Sequence, residues 1–190
     1  MQPICRCRCN LNNFVLLYNK RISQKLICSI SRYCLSFKDA KHITVCISDC
    51  DRNTVCISAV TTGLSTLVGE ELDVNPLDMD IRLAGVHEDY VNPDFGMQGT
   101  GGSSSIHAHY LQLRQVGAHT RALILEAASQ DVGVSAAALS TNNGFVVHGG
   151  KGYPYADFIA TAQSMSFIAD AALKPASEFQ YIGQESRRVD

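Results

Sequence analysis

The chain has 190 residues, of which 46% are hydrophobic, and a formal net charge of −2. This composition supplies enough apolar sequence for one core of ordinary size or two small ones. Such a composition does not require a disordered chain. No apolar run reaches the length of a membrane-spanning helix.

Residues 1–56 differ from the rest in charge and in cysteine content. They carry nine Lys and Arg against three Asp and Glu, a net charge of +6, whereas residues 57–190 carry seven against fifteen, a net charge of −8. All eight cysteines lie in residues 1–56, although a disulfide scaffold would spread them over the domain that it staples. The CRCRC run at residues 5–9 matches neither zinc-module nor iron–sulfur spacing.

The beginning of the chain predicts little regular structure. Residues 1–40 show no sustained period of 2 or 3.6 and are predicted to have low order. The apolar patch at residues 14–18 lacks a small-residue cleavage site, so no signal peptide is expected.

Regular elements are predicted from residue 43 onwards. Residues 43–47 and 54–58 are β-branched runs around a turn-rich bridge, which predicts a hairpin. Thr61 or Thr62 can cap a helix that Asn75 and Pro76 stop. Residues 79–84 alternate as a half-buried strand does.

The middle of the chain combines a long loop with a long helix. Residues 85–101 form a loop of about seventeen residues, a length that favours a binding role or disorder. Residues 103–130 predict one helix about 40 Å long at 1.5 Å per residue. Its apolar stripe consists of Ile106, Tyr110, Leu113, Val116, Leu123 and Ala127, with Gln112, Gln115, His119 and Gln130 on the other side.

After Gly133, a hairpin and a second helix are predicted. Residues 138–141 and 145–148 flank Asn143-Gly144, and Asn-Gly is a strong hairpin signal. Residues 155–163 predict a shorter amphipathic helix, and residues 179–183 an extended segment. The fold class predicted is α+β or α/β, a small mixed sheet with one long and two shorter helices.

The stretch FGMQGTGGSSSIH at residues 95–107 is the chain's candidate binding loop. It places glycines and three serines before a helix N-terminus, where unpaired N–H groups and the helix dipole favour an anion. A tight turn with a helix cap would have the same composition. The spacing matches neither the P-loop nor the dinucleotide-binding fingerprint.

Three segments together resemble a known family: TTGLSTLVGEELD at residues 61–73, VNPDFGMQGTGGSSSI at 91–106 with the long helix after it, and YIGQESRRVD at 181–190. They are similar to the molybdenum-binding subunit of the xanthine dehydrogenase/aldehyde oxidase family. The likeness is greatest to the isoquinoline 1-oxidoreductase beta-subunit branch, whose members are also called membrane-bound aldehyde dehydrogenase large subunits. Residues 41–190 are accordingly expected to be the N-terminal part of a molybdopterin-binding domain, and residues 1–40 stay unassigned.

The resemblance implies a cofactor and a reaction. Molybdopterin cytosine dinucleotide would be bound by Gly101, Gly102, Ser103, Ser104 and Ser105. The reaction implied is oxidation of an aldehyde or hydroxylation of an N-heterocycle. The implied partners are the remainder of the large subunit, a [2Fe–2S] small subunit and a cytochrome c electron acceptor. Relatives in this branch are usually periplasmic or membrane-associated, and localisation stays open.

Two departures from the family favour an inactive chain on its own. ISAVTTG at residues 57–63 lacks the family's Met-Gly-Gln-Gly turn. The family's catalytic glutamate belongs to a region past residue 190, and Glu70 and Glu71 are expected to be solvated instead. The alternative is therefore a non-catalytic remnant or interaction fragment of that subunit.

The other polar motifs predict no site. His107 and His109, two apart on a helix, point in different directions and cannot easily share a metal. The loop tip at residues 87–89 is expected to be solvated. Nucleic-acid binding is not expected, because the acidic residues 57–190 oppose it and no known module is present.

Overall fold

The computed structural model describes residues 25–29, 33–37, 43–47, 58–83, 92, 94, 96–97, 99, 102, 104–165 and 171–189. Within them, no helix is long and apolar enough to cross a lipid bilayer. The helices and strands are β1 (Lys25–Ser29), β2 (Tyr33–Phe37), β3 (Ile43–Ile47), α1 (Ser58–Leu72), β4 (Met79–Leu83), α2 (Ser104–Val132), β5 (Ser140–Asn142), β6 (Phe145–His148), β7 (Lys151–Pro154) and α3 (Tyr155–Ser164). Short 3-10 helices cover Pro76–Asp78, Ala136–Ala138 and Ala176–Glu178.

Helices α1 and α2 pack against each other in the same direction and form most of the core. Near their N-termini, Gly63 faces Ile106, and further along Gly117 faces Val68 and Glu71. A Cβ atom on Gly117 would lie 2.7 Å from the Val68 carbonyl oxygen. The two backbones therefore approach each other at a distance that only glycine allows. The fully buried aliphatic side chains of this core include Leu64, Val68, Leu72, Leu113, Leu123 and Ile124.

The strands form two sheets. The first sheet has the order β1-β2-β3-β4, with antiparallel pairs except for the parallel pair β3–β4. Helix α1 connects these two parallel strands, as a parallel pair requires. The second sheet, β5-β6-β7, is antiparallel throughout.

The second sheet is joined to the core through its first turn. Asn143 and Gly144 both have positive φ, 41° and 83°, the geometry of a type I′ turn. The Gly144 amide donates to the Asp73 carbonyl, and the Tyr155 amide donates to the Gly144 carbonyl. These two bonds tie the hairpin to the end of α1 and the beginning of α3.

The predicted fold class is confirmed: the structure is α+β, with one long helix, two shorter ones and a small mixed sheet. The structure contains the predicted helices, the strand at residues 43–47, the strand beginning at residue 79 and the Asn-Gly hairpin. Strand β7 was not predicted.

Several details differ from the sequence prediction. The low order predicted for residues 1–40 does not extend to β1 and β2. Ser58, predicted to end a strand, begins α1 instead, and residues 54–57 lie outside the described residues. His119, predicted on the polar side of α2, is only 5% exposed, and its Nδ1 lies 2.7 Å from the Gln115 carbonyl oxygen. The division of the chain at residue 40 stays a prediction.

Candidate functional site

The predicted binding loop leads into the N-terminus of α2. Gly102 is exposed and has a φ of +56°, which favours glycine. Helix α2 begins at Ser104. Gly101 and Ser103, the other two residues of the predicted contact set before the helix, lie outside the described residues.

A small turn around Asn92 lies against this helix end. The Asn92 amide donates to the Met97 carbonyl at 3.0 Å, and the Gly96 amide donates to the Asn92 carbonyl at 2.9 Å. The fully buried Asn92 side chain donates from Nδ2 to Ser104 Oγ at 3.4 Å. Part of the long loop is therefore held against the first turn of α2.

Ser105 has a polar atom that the described part of the chain does not satisfy. The residue is 2% exposed, and its Oγ has no hydrogen-bond partner among the described residues. A buried hydroxyl without a partner costs free energy of folding, so such groups are uncommon and need an explanation. This orphaned hydroxyl lies in the segment that the sequence predicts to bind a cofactor.

The electrostatics at this end of α2 favour an anion. The first turn of the helix contains no acidic residue. Its first amides have no acceptor inside the helix, and the helix dipole places positive charge there. The carboxylate of Asp94 lies in the same region, where its Oδ2 is 3.4 Å from Nδ1 of the exposed His107.

The two neighbouring histidines do not form a shared site. His107 is exposed, whereas His109 is 2% exposed with its Nδ1 3.4 Å from Gln112 Oε1. The two side chains lie in different environments, and that they cannot easily share a metal stays a prediction. Among the described residues, no group of three or more His, Cys, Asp and Glu side chains could hold a metal ion.

A second polar centre, which the sequence analysis missed, lies at the C-terminal end of α1. Glu70 and Glu71 were expected to be solvated, and this was wrong: both are 0% exposed. With Asp73, 6% exposed, they provide three buried carboxylates. The three cations beside them are Arg114, Arg121 and Lys174.

Glu71 pairs with Arg114 on α2. Arg114 donates to Glu71 Oε1 from Nε at 2.8 Å and lies 2.6 Å from it through NH2. The same guanidinium donates to the Lys174 carbonyl at 2.6 Å and lies over the rings of Tyr110 and Phe179, at 5.3 and 4.9 Å. Because the carboxylate and the guanidinium both have close partners, the free-energy cost of burying the two charges is compensated.

Asp73 ends α1 in an unusual backbone conformation. Its φ is +54°, and the amide after it donates to the Gly69 carbonyl at 3.0 Å, the pattern of a left-handed C-terminal cap. Its carboxylate accepts hydrogen bonds from Lys174 Nζ and from Thr141 Oγ1. The helix end thereby contacts both the second sheet and the C-terminal segment.

Glu70 binds the backbone of the C-terminal segment. Its carboxylate accepts from the amides of Gln180, Tyr181 and Ile182 at 2.7 to 3.1 Å. Further on, the Val189 amide donates to Thr62 Oγ1 at 3.3 Å. We call residues 171–189 the C-terminal strap, because they run along α1 from its C-terminal end back towards its N-terminal end.

Two tyrosines near this cluster have altered acidity. Burial, and then the charge of Asp73, raise the pKa of Tyr155, whose hydroxyl donates to the Leu72 carbonyl at 3.0 Å. Burial, followed by the charges of Asp73, Glu70 and Asp78, also raises the pKa of Tyr181. Both effects oppose formation of a phenolate beside buried carboxylates.

The composition of α1 offered a signal for this cluster. Glu70 and Glu71 are its only charged residues. A helix with so few charged residues buries much of its surface, so its two carboxylates need buried partners. The identity of the partners was not accessible, because they lie 43 to 112 residues further along the chain.

Comparisons with known proteins find similarity to parts of two oxidoreductases. No family model matches the chain. Over 129 residues, 65% of this chain and 16% of the relative, it is 30% identical to a membrane-bound aldehyde dehydrogenase [pyrroloquinoline-quinone] of Gluconacetobacter polyoxogenes. The crystal structure of quinoline 2-oxidoreductase from Pseudomonas putida 86 matches with a TM-score of 0.46 and 16% identity, over 71% of this chain and 17% of that chain. This chain is thus similar to one segment, about a sixth of the length, of a much longer oxidoreductase.

Proposed function

We propose that this chain is part of the molybdenum-binding subunit of an oxidoreductase of the xanthine dehydrogenase/aldehyde oxidase family. In this proposal the segment from Gly101 to Ser105 contacts the phosphates and pterin of molybdopterin cytosine dinucleotide. The observation that carries it is the buried Ser105 hydroxyl without a partner among the described residues. It lies where the resemblance to the family requires a hydrogen-bonding group.

The residues present fit an anionic cofactor. A pyrophosphate can accept hydrogen bonds from the first amides of α2, which have no acceptors within the helix. Gly102, in the left-handed region, allows the backbone to turn its amides towards such a group. Ser105 Oγ would gain the partner that it lacks among the described residues.

The division of work between cofactor and protein follows from these groups. When bound, the molybdenum cofactor supplies the oxidation chemistry, and the protein supplies binding and orientation. Ser104 and Ser105 would fix the cofactor by hydrogen bonds. Asn92, which donates to Ser104, would hold that serine in position from the loop.

The substrate class and the partners belong to the same proposal. The similarity to an aldehyde dehydrogenase supports oxidation of an aldehyde, and hydroxylation of an N-heterocycle is the other reaction implied. The remainder of the large subunit, a [2Fe–2S] small subunit and a cytochrome c electron acceptor complete the proposed assembly. None of the residues described takes part in electron transfer in this account.

The relative's name gives a different cofactor, pyrroloquinoline quinone. A quinone that bears carboxylates is also an anion, so the α2 N-terminus would attract either group. The choice of molybdopterin depends on the resemblance of the whole segment at residues 91–106. Cofactor analysis distinguishes the two.

The test is analysis of bound cofactor in the purified protein. The chain is expressed alone and together with the polypeptide that supplies the rest of the large subunit, and each sample is assayed for molybdenum by mass spectrometry and for quinone by absorbance. We expect stoichiometric molybdenum, without quinone, in the co-expressed sample. Quinone in place of molybdenum would contradict the proposal, and neither group in either sample would favour the non-catalytic remnant.

A further inference from the structure

A cavity of about 660 Å³ opens beside the buried carboxylate cluster. It lies along the C-terminal half of α2, whereas Ser105 lies at the N-terminus of that helix. Arg121, in its wall, follows Ser105 by sixteen positions, or about 24 Å along a helix. Residues from α2, the start of the second sheet and the C-terminal strap line the cavity. It is therefore separate from the candidate cofactor loop, and the inference does not depend on the proposed function.

Arg121 pairs with the carboxylates of the cluster only at long distances. Its guanidinium lies 3.5 Å from Asp73 Oδ2 and 3.9 Å from Glu71 Oε2. Both distances exceed the 2.7–2.9 Å that is usual for a charge-assisted hydrogen bond. Its side chain is 17% exposed, and it donates no hydrogen bond to the described residues. A guanidinium has five N–H donors in a planar fork.

The other charges around the cavity already have partners. Lys174 Nζ donates to Asp73 and lies 3.6 Å from Glu70 Oε1. Asp73 also accepts from Thr141, so its oxygens are occupied by donors other than Arg121. Glu178 lines the cavity but is exposed, where water screens its charge. Arg121 is thus the charged group that can bind a ligand with good geometry.

The rest of the wall is partly apolar: alanines and leucines line it together with Ser140, Thr141 and Gln180. Ala118 and Ala122 lie one turn apart on α2, and Leu125 and Leu139 extend the same surface. A ligand that fits must combine an acceptor fork with an apolar body.

We propose that this cavity binds a small monocarboxylate with a short aliphatic tail. The carboxylate accepts two parallel hydrogen bonds from Arg121, and the tail lies against Ala122 and the two leucines. Bidentate pairing supplies the guanidinium with the close hydrogen bonds that Asp73 and Glu71 do not. Burial of the tail gives the site a preference for a chain of several carbon atoms over acetate.

The test is calorimetric titration of the full chain with hexanoate and with hexanamide, its neutral analogue of similar size. We expect saturable binding of hexanoate and at least tenfold weaker binding of hexanamide. Equal binding of the two would overturn the proposal. So would the absence of saturable hexanoate binding at concentrations up to about 10 mM, a range that covers a weak site.

Two variants locate the site. Arg121→Gln is expected to weaken hexanoate binding at least tenfold. Ala122→Phe, which adds a ring to the wall and keeps the arginine, is expected to do the same. Arg187→Gln, at an exposed arginine outside the cavity, is the matched control and should bind as the parent does. Unchanged binding in Ala122→Phe, with its fold verified by circular dichroism, would place hexanoate elsewhere and contradict the proposal.

Discussion

Glu70 and Tyr181 are 111 residues apart in the chain and are joined by a 2.7 Å hydrogen bond from the Tyr181 amide to the Glu70 carboxylate. The carboxylate also accepts the amides on either side, of Gln180 and Ile182. Hydrogen bonds from backbone N–H groups to a carboxylate are charge-assisted and stronger than bonds between neutral groups. Glu70 is consequently one attachment of the C-terminal strap to α1, beside those that Lys174 makes to Glu71 and Asp73.

Replacing Glu70 by Gln tests this attachment. The amide keeps one acceptor oxygen but directs an NH₂ group towards backbone donors, so we expect a loss of about 2–4 kcal/mol in the free energy of unfolding. Hydrogen exchange of the amides of residues 180–182 should accelerate. The exposed Glu185→Gln is the control, and an unchanged exchange rate in Glu70→Gln would contradict the role given to Glu70.

The Glu71–Arg114 pair predicts a double-mutant result. Arg114→Met alone leaves a carboxylate that is 0% exposed without its main partner, and should cost about 3–5 kcal/mol. Adding Glu71→Met removes the uncompensated charge. The double variant should therefore lose less free energy of unfolding than the two single variants lose in sum. Chemical denaturation measures all three. Strict additivity would show that the two side chains do not stabilise each other.

Close packing of α1 and α2 predicts that Gly117→Ala destabilises the protein. Alanine favours a helix by about 1 kcal/mol over glycine, but its Cβ would lie 2.7 Å from the Val68 carbonyl oxygen and 2.8 Å from Glu71 Cβ. We expect a net loss of about 1–2 kcal/mol in thermal or chemical unfolding. Gly152→Ala is the matched control, since its Cβ meets Phe145 at an ordinary 3.6 Å. A more stable Gly117→Ala variant would show that the helices lie further apart.

The raised pKa of Tyr155 predicts a loss of stability in alkali. In the folded state the phenol keeps its proton above pH 10, whereas in the unfolded state it ionises near its ordinary pKa of 10. The unfolded state therefore binds fewer protons, and the stability from Tyr155, complete below pH 10, is lost as the pH rises.

Tyr155→Phe isolates this contribution. At pH 7 the variant loses the hydrogen bond to Leu72 and about 1 kcal/mol. Above pH 10 the parent should lose stability faster than the variant, by about 1.4 kcal/mol per pH unit. Tyr153→Phe, at a partly buried tyrosine of β7, is the control. Parallel pH profiles for the parent and Tyr155→Phe would show that the phenol ionises equally in both states.

Local signals in the sequence predicted the elements that depend on local chemistry. Asn143-Gly144 specified a hairpin because both positions need positive φ. The long helix from Ser104 was predicted from its apolar period, although His119 lies inside the core rather than on the polar side. Periodicity assigns a face to each residue, but packing against both α1 and α3 buries more of α2 than one stripe.

The buried charge cluster could not be predicted in the same way. Lys174 and Arg114 look like solvated surface residues in the sequence, and their partners on α1 are distant along the chain. The candidate loop, in contrast, was predicted from the sequence by its glycines and serines. What the structure adds there is the unsatisfied Ser105 hydroxyl, which depends on three-dimensional burial.

The most direct test of the central claim is the molybdenum content of Ser105→Ala in the assembled enzyme. Because Ser105 Oγ has no partner among the described residues, the substitution should leave the unfolding free energy of the chain unchanged or slightly higher. Molybdenum bound per chain after dialysis should fall at least threefold below that of the parent and of the control Ser164→Ala, whose exposed serine lies in α3. Full molybdenum content in Ser105→Ala, or none in the parent enzyme, would contradict the assignment of this loop to the cofactor.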